Sequence, residues 1–103
     1  MSSNTRIGIT PALGRLSLVD GQDFYHEFGA APAGSTVWLE FMSGDRETTF
    51  ASFPVEATTG ICRVDAEDLT VVLAGAWFRL WVNYPDDGGT ICWIAGPVER
   101  NFR

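Results

Sequence analysis

The sequence contains no lysine. Its seven basic residues are all arginines, and they face thirteen acidic residues, for a formal net charge of −6. No basic cluster offsets this charge, and the phosphate backbone of a nucleic acid repels such a surface. We therefore expect no nucleic-acid partner. An acidic surface mainly favours solubility and suppresses non-specific association.

Long apolar runs are also absent. A membrane-spanning helix needs about 18 or more consecutive apolar residues, and no such stretch occurs, so we expect no membrane span. The opening MSSNTRIGIT lacks the apolar core of a secretory signal. We expect synthesis and folding in a cytoplasm. With 46% hydrophobic and 19% charged residues over 103 positions, the chain has the composition of one folded domain.

Catalytic motifs are missing as well. His26 is the single histidine, and it lies among aromatic residues in a segment that alternates like a strand. A hydrolytic triad needs a histidine beside a nucleophile and an acid, but no serine lies in a G-x-S-x-G turn and no glycine-rich phosphate-binding motif occurs. We interpret His26 as a half-buried core or interface residue, and we expect neither an enzyme nor a cofactor.

Metal binding is not expected either. The acidic groups at 65–68 and 86–89 lack the alternating ligand spacing of a calcium loop, and Asp is common in turns for local reasons. Cys62 and Cys92 are far from zinc spacing. Two readings of these cysteines stay open: reduced, buried thiols, which cytoplasmic synthesis favours, or a disulfide between neighbouring strands formed after release into an oxidising medium.

Period-two alternation runs through most of the chain and predicts strands. Pro54 removes a ladder donor, so its segment is predicted as an edge strand or one with a bulge. Asp65 is a candidate cap for a short helical turn that begins at Ala66. We predict strands at 16–19, 23–28, 36–42, 48–57, 61–64, 76–84 and 90–96.

These short strands predict an all-β fold: a single Ig-like or jelly-roll-like antiparallel β-sandwich of about seven strands. Residues 1–15 are predicted as an extended N-terminal arm, and residues 16–103 as the sandwich domain. Residues 97–103 are predicted as a C-terminal tail, with Pro97 marking the exit from the sheet or an edge position.

Segment 76–84 has two distinct faces. One face is apolar and is the predicted core: Phe78, Leu80, Val82 and Tyr84. The other face mixes indoles with polar groups: Trp77, Arg79, Trp81 and Asn83. Tryptophan and arginine are enriched where proteins bind proteins. We therefore predict these four residues as an interface, with the N-terminal arm as an alternative cover and a carbohydrate platform as a second alternative.

The neighbouring segments alternate in the same way. In segment 36–42 the apolar face is Val37, Leu39 and Phe41, and the opposite face is Thr36, Trp38, Glu40 and Met42. In segment 90–96, strict alternation places Ile91 with Trp93 on one face and Cys92 with Ile94 on the other.

Several stretches of the sequence share an order with a known family. They are DGQDF after the first strand, PAGSTVWLEF, the proline-bearing middle strand, LAGAWFRLWVNY and the closing GPVER. Together they resemble the LtfC-like β-sandwich proteins of actinobacterial tailed phages and, more distantly, the N-terminal domains of phage baseplate proteins. The resemblance covers most of residues 16–100. It implies a structural role in the virion, in the tail or tail tip, and offers no active site to transfer.

The first functional hypothesis is therefore a non-enzymatic virion structural protein of a tailed phage, specifically a minor tail protein that acts through assembly contacts. It would be made in the host bacterial cytoplasm and would contact other virion proteins and copies of itself. A capsid decoration protein on the outer shell and a carbohydrate-binding adsorption module are the alternatives.

Overall fold

The structure, a computed structural model, describes residues 12–72, 75–85 and 88–101. Within them the chain forms eight strands and one short 3-10 helix, Ala66–Leu69. The strands are β1 (Ala12–Leu13), β2 (Leu16–Val19), β3 (Phe24–Glu27), β4 (Thr36–Met42), β5 (Thr49–Val55), β6 (Ile61–Val64), β7 (Trp77–Asn83) and β8 (Thr90–Asn101). No helix in the described ranges is long and apolar enough to cross a membrane.

Two sheets form the sandwich. The larger sheet has the order β1-β8-β7-β4-β5, with β2 also paired to β8, and the smaller sheet pairs β3 with β6. Adjacent strands are antiparallel, except that β1 and β2 run parallel to β8. The predicted all-β sandwich is confirmed.

The core lies between the two sheets. Strands β4 and β7 supply its centre, where Leu39 pairs with Leu80 and Phe41 with Phe78, and none of these side chains is more than 1% exposed. The smaller sheet contributes Phe24, Cys62 and Val64 from the other side. The predicted core face of β7 is confirmed for Phe78, Leu80 and Val82, which are buried, while Tyr84 follows β7 and packs against the core half-buried.

Strand β5 forms one edge of the larger sheet, as Pro54 predicts. Pro54 is exposed and lies opposite Trp38 of β4. The register between these two strands shifts at Phe41 and Met42, near the turn that joins them. A proline at this edge discourages another chain from extending the sheet there.

The predicted C-terminal tail is wrong for residues 97–101, which continue β8. Strand β8 stays in the sheet because it changes partners: β1 pairs with Ile94 and Ala95, and β2 then pairs with residues 98–101 on the same edge. Gly96 makes the change possible, because a Cβ there would lie 1.7 Å from the carbonyl oxygen of Gly14. Only glycine allows the two backbones to approach this closely.

Ala12 and Leu13 of the predicted arm form β1, and the arm's residues 1–11 lie outside the described residues. Arg15, beyond β1, forms an ion pair with Glu99 of β8 at 3.4 Å. The described end of the arm is therefore anchored along β8 by backbone pairing and by this surface contact.

The helical turn begins at Ala66, as predicted, but Asp65 makes no side-chain capping hydrogen bond. The Ala66 N–H instead donates to the Asp23 carboxylate at 2.7 Å, from a residue 43 positions upstream. At the other end Arg100 donates to the carbonyls of Leu69 and Val72 and to Asp20. The turn is thus held by contacts from distant parts of the chain.

Candidate interface face

The outer face of the larger sheet consists of the β4 and β7 side chains that point away from the core. In the register of these strands Trp38 lies opposite Trp81, Glu40 opposite Arg79, and Met42 opposite Trp77. Three of the chain's four tryptophans are therefore on one surface. Each is half-buried, although no second layer of the sandwich covers this side in the described residues.

Trp38 and Trp81 form the aromatic centre of the outer face. Their ring centroids are 6.4 Å apart and their planes differ by 22°. Cross-strand aromatic pairs of this kind contribute about 0.5–1.5 kcal/mol beyond the area they bury. The pair gives the outer face a rigid apolar patch.

Glu40 fixes the position of Trp81. Its carboxylate accepts a hydrogen bond from the Trp81 indole N–H at 2.8 Å and another from the Thr49 hydroxyl at 2.5 Å. Both bonds have an ionised acceptor, which makes them stronger than bonds between neutral groups. Glu40 thus ties the centre of the outer face to the edge strand β5.

Two arginines lie over the indoles. The guanidinium carbon of Arg46 is 4.0 Å from the Trp77 ring centroid, and that of Arg79 is 5.8 Å from the Trp81 ring centroid. Both distances are within the range of cation–π attraction. Each of these two indoles therefore has its own guanidinium, Arg46 over Trp77 and Arg79 over Trp81.

The turn between β4 and β5 carries Arg46 in a left-handed conformation, with φ of 64°. Ser43 and Asp45 stabilise this turn: the Ser43 hydroxyl donates to Asp45, and the Asp45 carboxylate accepts from the Glu47 N–H at 2.9 Å. These hydrogen bonds lower the pKa of Asp45 because they favour the charged carboxylate. The turn is therefore ordered in the conformation that brings Arg46 over Trp77.

Asn83 lies at the exposed end of the outer face and donates a hydrogen bond to the Thr90 hydroxyl at 2.7 Å. Cys92 lies opposite Trp81 and is half-buried. Burial raises the pKa of the Cys92 thiol, while the charge of Arg79 opposes that shift. Cys62, in contrast, is fully buried in the core, and both thiols are free.

All four residues predicted as an interface lie on this outer face, three half-buried and Asn83 exposed. Their contact partners Trp38, Glu40 and Arg46 were not predicted as site residues. Alternation in 36–42 already placed Trp38 with Glu40 on one side of their strand. Only the register between β4 and β7 shows that this side and the predicted interface are the same surface.

The predicted faces of segment 90–96 are wrong at one position. The register with β7 passes from Leu80–Ile94 to Trp81–Cys92, so Trp93 is an extra residue that forms a β-bulge. As a result Ile94 packs against the core and does not share the outer side with Cys92. Trp93 also packs on the core side, where its indole N–H donates to the Tyr84 hydroxyl at 2.6 Å.

His26 is exposed, not half-buried as predicted. Its ring is close to those of Phe24 and Phe28, with centroid distances of 6.2 and 4.5 Å. In the described ranges no three His, Cys, Asp or Glu side chains are close enough to hold a metal ion. Asp86 and Asp87 of the second acidic turn lie outside these ranges.

The outer face thus has indoles at its centre, charged groups between them and polar residues at its rim. No curated protein matches the sequence. A solved structure of the extracellular domains of the voltage-gated sodium channel beta4 subunit, described as parallel homodimers with a role in cell–cell adhesion, is similar with a TM-score of 0.48 and 6% identity. The match covers 92% of this chain and 96% of that one.

The family model for the LtfC-like, beta-sandwich domain matches residues 10–101. This range includes every described strand and the whole outer face. The chain therefore belongs to the LtfC-like β-sandwich domain family.

Proposed function

We propose that this chain is a non-enzymatic structural protein of a tailed-phage virion, and specifically a minor tail protein. Its family supports a phage-related β-sandwich structural protein. Its work is assembly: it binds other virion proteins and copies of itself in the particle after synthesis in the host cytoplasm. The observation that carries the proposal is the outer face, where three indoles and two arginines form one continuous surface.

The composition of the outer face fits a protein partner. Tryptophan and arginine dominate the energetics of protein interfaces, particularly where they are central and lose water on binding. Trp38 and Trp81 are already ordered by their stacking and by Glu40, so little side-chain entropy is lost when a partner covers them. A surface with this degree of order is suited to a permanent contact in an assembled particle.

The experiment is particle assembly with the outer face altered. We expect Trp81→Ala to lower incorporation of the protein into particles by roughly tenfold or more, since central aromatic anchors are worth about 2 kcal/mol or more at interfaces. Incorporation is measured as the amount that co-purifies with intact particles, and the substructure that retains it identifies tail or capsid. Arg79→Glu, which keeps the stack and reverses one charge, is the second variant.

Val71→Ala is the control, because Val71 is a hydrophobic residue 50% exposed just after the 3-10 helix, away from the outer face. Circular dichroism and thermal unfolding establish that each variant is folded. If folded Trp81→Ala and Arg79→Glu proteins enter particles as well as Val71→Ala does, the outer face is not the assembly surface. Retention on capsids without tails would replace the tail assignment with the decoration role.

A carbohydrate-binding role is the second candidate, and one observation favours it. The stacked indoles are flanked by Glu40, Arg79 and the Asn83–Thr90 pair, which supply hydrogen-bonding groups around an aromatic platform. Binding on a glycan array that disappears in both Trp77→Ala and Trp81→Ala, together with normal particle incorporation of these variants, would favour adsorption over assembly.

A further inference from the structure

A cleft separate from the outer face lies beside strand β3 of the smaller sheet. It has a volume of about 340 Å³ and lies between β2 and β3. Its apolar lining comes from Leu16, Leu18, Phe24 and Leu69, and its polar lining includes Ser17, Gln22, Asp23 and His26. Within the described residues β2 pairs only with β8, and β3 pairs only with β6.

Strand β3 is therefore a sheet edge beside a cleft that both apolar and polar groups line. The smaller sheet has two strands in the described part of the chain, and an isolated pair of strands is a marginal structure. Edges of this kind accept an added strand, which gains backbone hydrogen bonds along the edge and buries alternate side chains. At about 3.3 Å per residue, the four residues of β3 offer an edge for about four residues of an added strand.

We propose that this cleft binds residues 1–11 of a second copy of the chain, which add a strand to the free edge of β3. The segment RIGIT, residues 6–10, has the pattern such a strand needs: Ile7 and Ile9 alternate and so share one side of an extended backbone. The proposal concerns a different surface from the outer face and does not depend on it.

Charge supports this occupant. Residues 1–11 contain Arg6 and no acidic residue, whereas all thirteen acidic residues lie in the rest of the chain. Asp23 lines the cleft and Glu27 is exposed on β3. Arg15, which also lines the cleft, already pairs with Glu99. The positive segment and the acidic domain are complementary, which favours their association.

The course of the chain favours exchange between copies over binding in its own cleft. Residues 20–23 join β2 to β3, and the two four-residue strands line the same cleft from opposite sides. Ala12 and Leu13 extend the line of β2 further along β8, parallel to it. Ala12 thus lies about 13 Å beyond Leu16 along β8, at about 3.3 Å per residue. Ile9 is three residues before Ala12 and can be at most about 11 Å from it, which is too short to turn back to β3 of the same chain.

Disulfide trapping in the full-length chain tests this arrangement. One protein carries Ile9→Cys and the other Ser17→Cys, so a bond between the new cysteines can form only between two copies. Ser52→Cys, an exposed serine on β5, is the matched control. All proteins carry Cys92→Ser, and Cys62 stays because it is fully buried. A segment seated in the cleft has an effective concentration near the millimolar range. We therefore expect micromolar mixtures to form the Ile9→Cys–Ser17→Cys species at least roughly tenfold faster than the control species.

Two further measurements separate the possible outcomes. Sedimentation should show a concentration-dependent dimer that is lost in Ile7→Asp/Ile9→Asp and kept in Trp81→Ala, which distinguishes this contact from the outer face. Amide exchange in β3 should accelerate in Ile7→Asp/Ile9→Asp. Equal trapping of Ser17→Cys and Ser52→Cys would overturn the proposal. A monomer whose β3 amides depend on Ile7 and Ile9 would also overturn exchange, because the segment would then bind in its own cleft.

Discussion

Strand β7 presents two opposite environments on alternate residues. On the inner side Phe78, Leu80 and Val82 are at most 1% exposed and belong to the core cluster. On the outer side Trp77 and Trp81 are larger side chains, yet both remain half-buried. The inner side is completed by the smaller sheet, while the outer side is ordered by contacts among its own residues and remains accessible.

The outer side shows how a small domain can keep aromatic residues on its surface in a defined arrangement. The indoles are fixed by Glu40 and by cation–π contacts with two arginines, so their order does not depend on a covering layer. Even Met42 is buried on this side, at 4% exposure, without belonging to the core cluster. The two sides should therefore respond very differently to substitution.

The largest contrast is expected between neighbouring residues. Phe78→Ala removes a fully buried ring and should cost about 3–5 kcal/mol in the free energy of unfolding, a large part of the 5–15 kcal/mol typical of a domain. Trp77→Ala, one residue away on the outer side, should cost about 1–2 kcal/mol because its ring is only partly removed from water. Urea unfolding measures both, and similar costs would contradict the contrast between the sides.

The two thiols, Cys62 in the core and Cys92 on the outer side, allow the two environments to be compared through the pH dependence of stability. Burial raises the pKa of Cys62 to about 11, from 9.0 for a free thiol. The folded state thus holds the proton more tightly, and this contribution to stability is present below pH 9 and is lost as the pH rises towards 11. Its size is on the order of 2 kcal/mol.

Urea unfolding of Cys62→Ala between pH 8 and pH 11 checks this expectation, because the substitution should flatten the decline in stability with pH. Cys92→Ala, on the outer side, is the control and should change the slope less. In the folded wild type a thiol reagent should modify Cys92 before Cys62. Faster modification of Cys62 would show that the core opens more readily than its burial indicates.

Local patterns predicted the features that depend on one strand at a time. Alternation in 36–42 and 76–84 assigned the core and outer sides of β4 and β7, and Pro54 correctly marked an edge strand. The clustering of Trp77, Arg79, Trp81 and Asn83 follows from the same period of two. These predictions succeed because a strand buried on one side has to alternate.

Features that depend on a distant partner could not be predicted in this way. The bulge at Trp93 reverses the alternation of β8, and nothing in the local sequence specifies it. Pro97 suggested an exit from the sheet, but β8 continues because β2 pairs with it there. The helical turn takes its cap from Asp23 and not from the adjacent Asp65. In each case a tertiary contact decided the outcome.

A smaller effect should show whether contacts within the outer face stabilise the domain. Glu40→Ala removes the acceptor of the Trp81 indole N–H and of the Thr49 hydroxyl, and should cost about 1 kcal/mol, since water can replace part of each bond at this half-buried site. Glu47→Ala is the control, because Glu47 is an exposed turn residue that bonds to Ser43 and Asp45 through its backbone N–H alone. Equal stability of the two variants would mean that the outer face gains its order without Glu40.

The smallest expected effect concerns the cation–π contact at the edge of the outer face. Arg46→Ala should cost about 0.5–1 kcal/mol, the usual value for a partly exposed pair. Arg63→Ala is the matched control, because its guanidinium carbon is 5.9 Å from the Tyr25 ring centroid, compared with 4.0 Å for Arg46 and Trp77. Urea unfolding should therefore show a larger loss for Arg46→Ala, and tryptophan fluorescence should change only in that variant. If the two losses are the same, Arg46 lies over Trp77 without stabilising the fold, and the order of the outer face must come from Glu40, Arg79 and the indole stack.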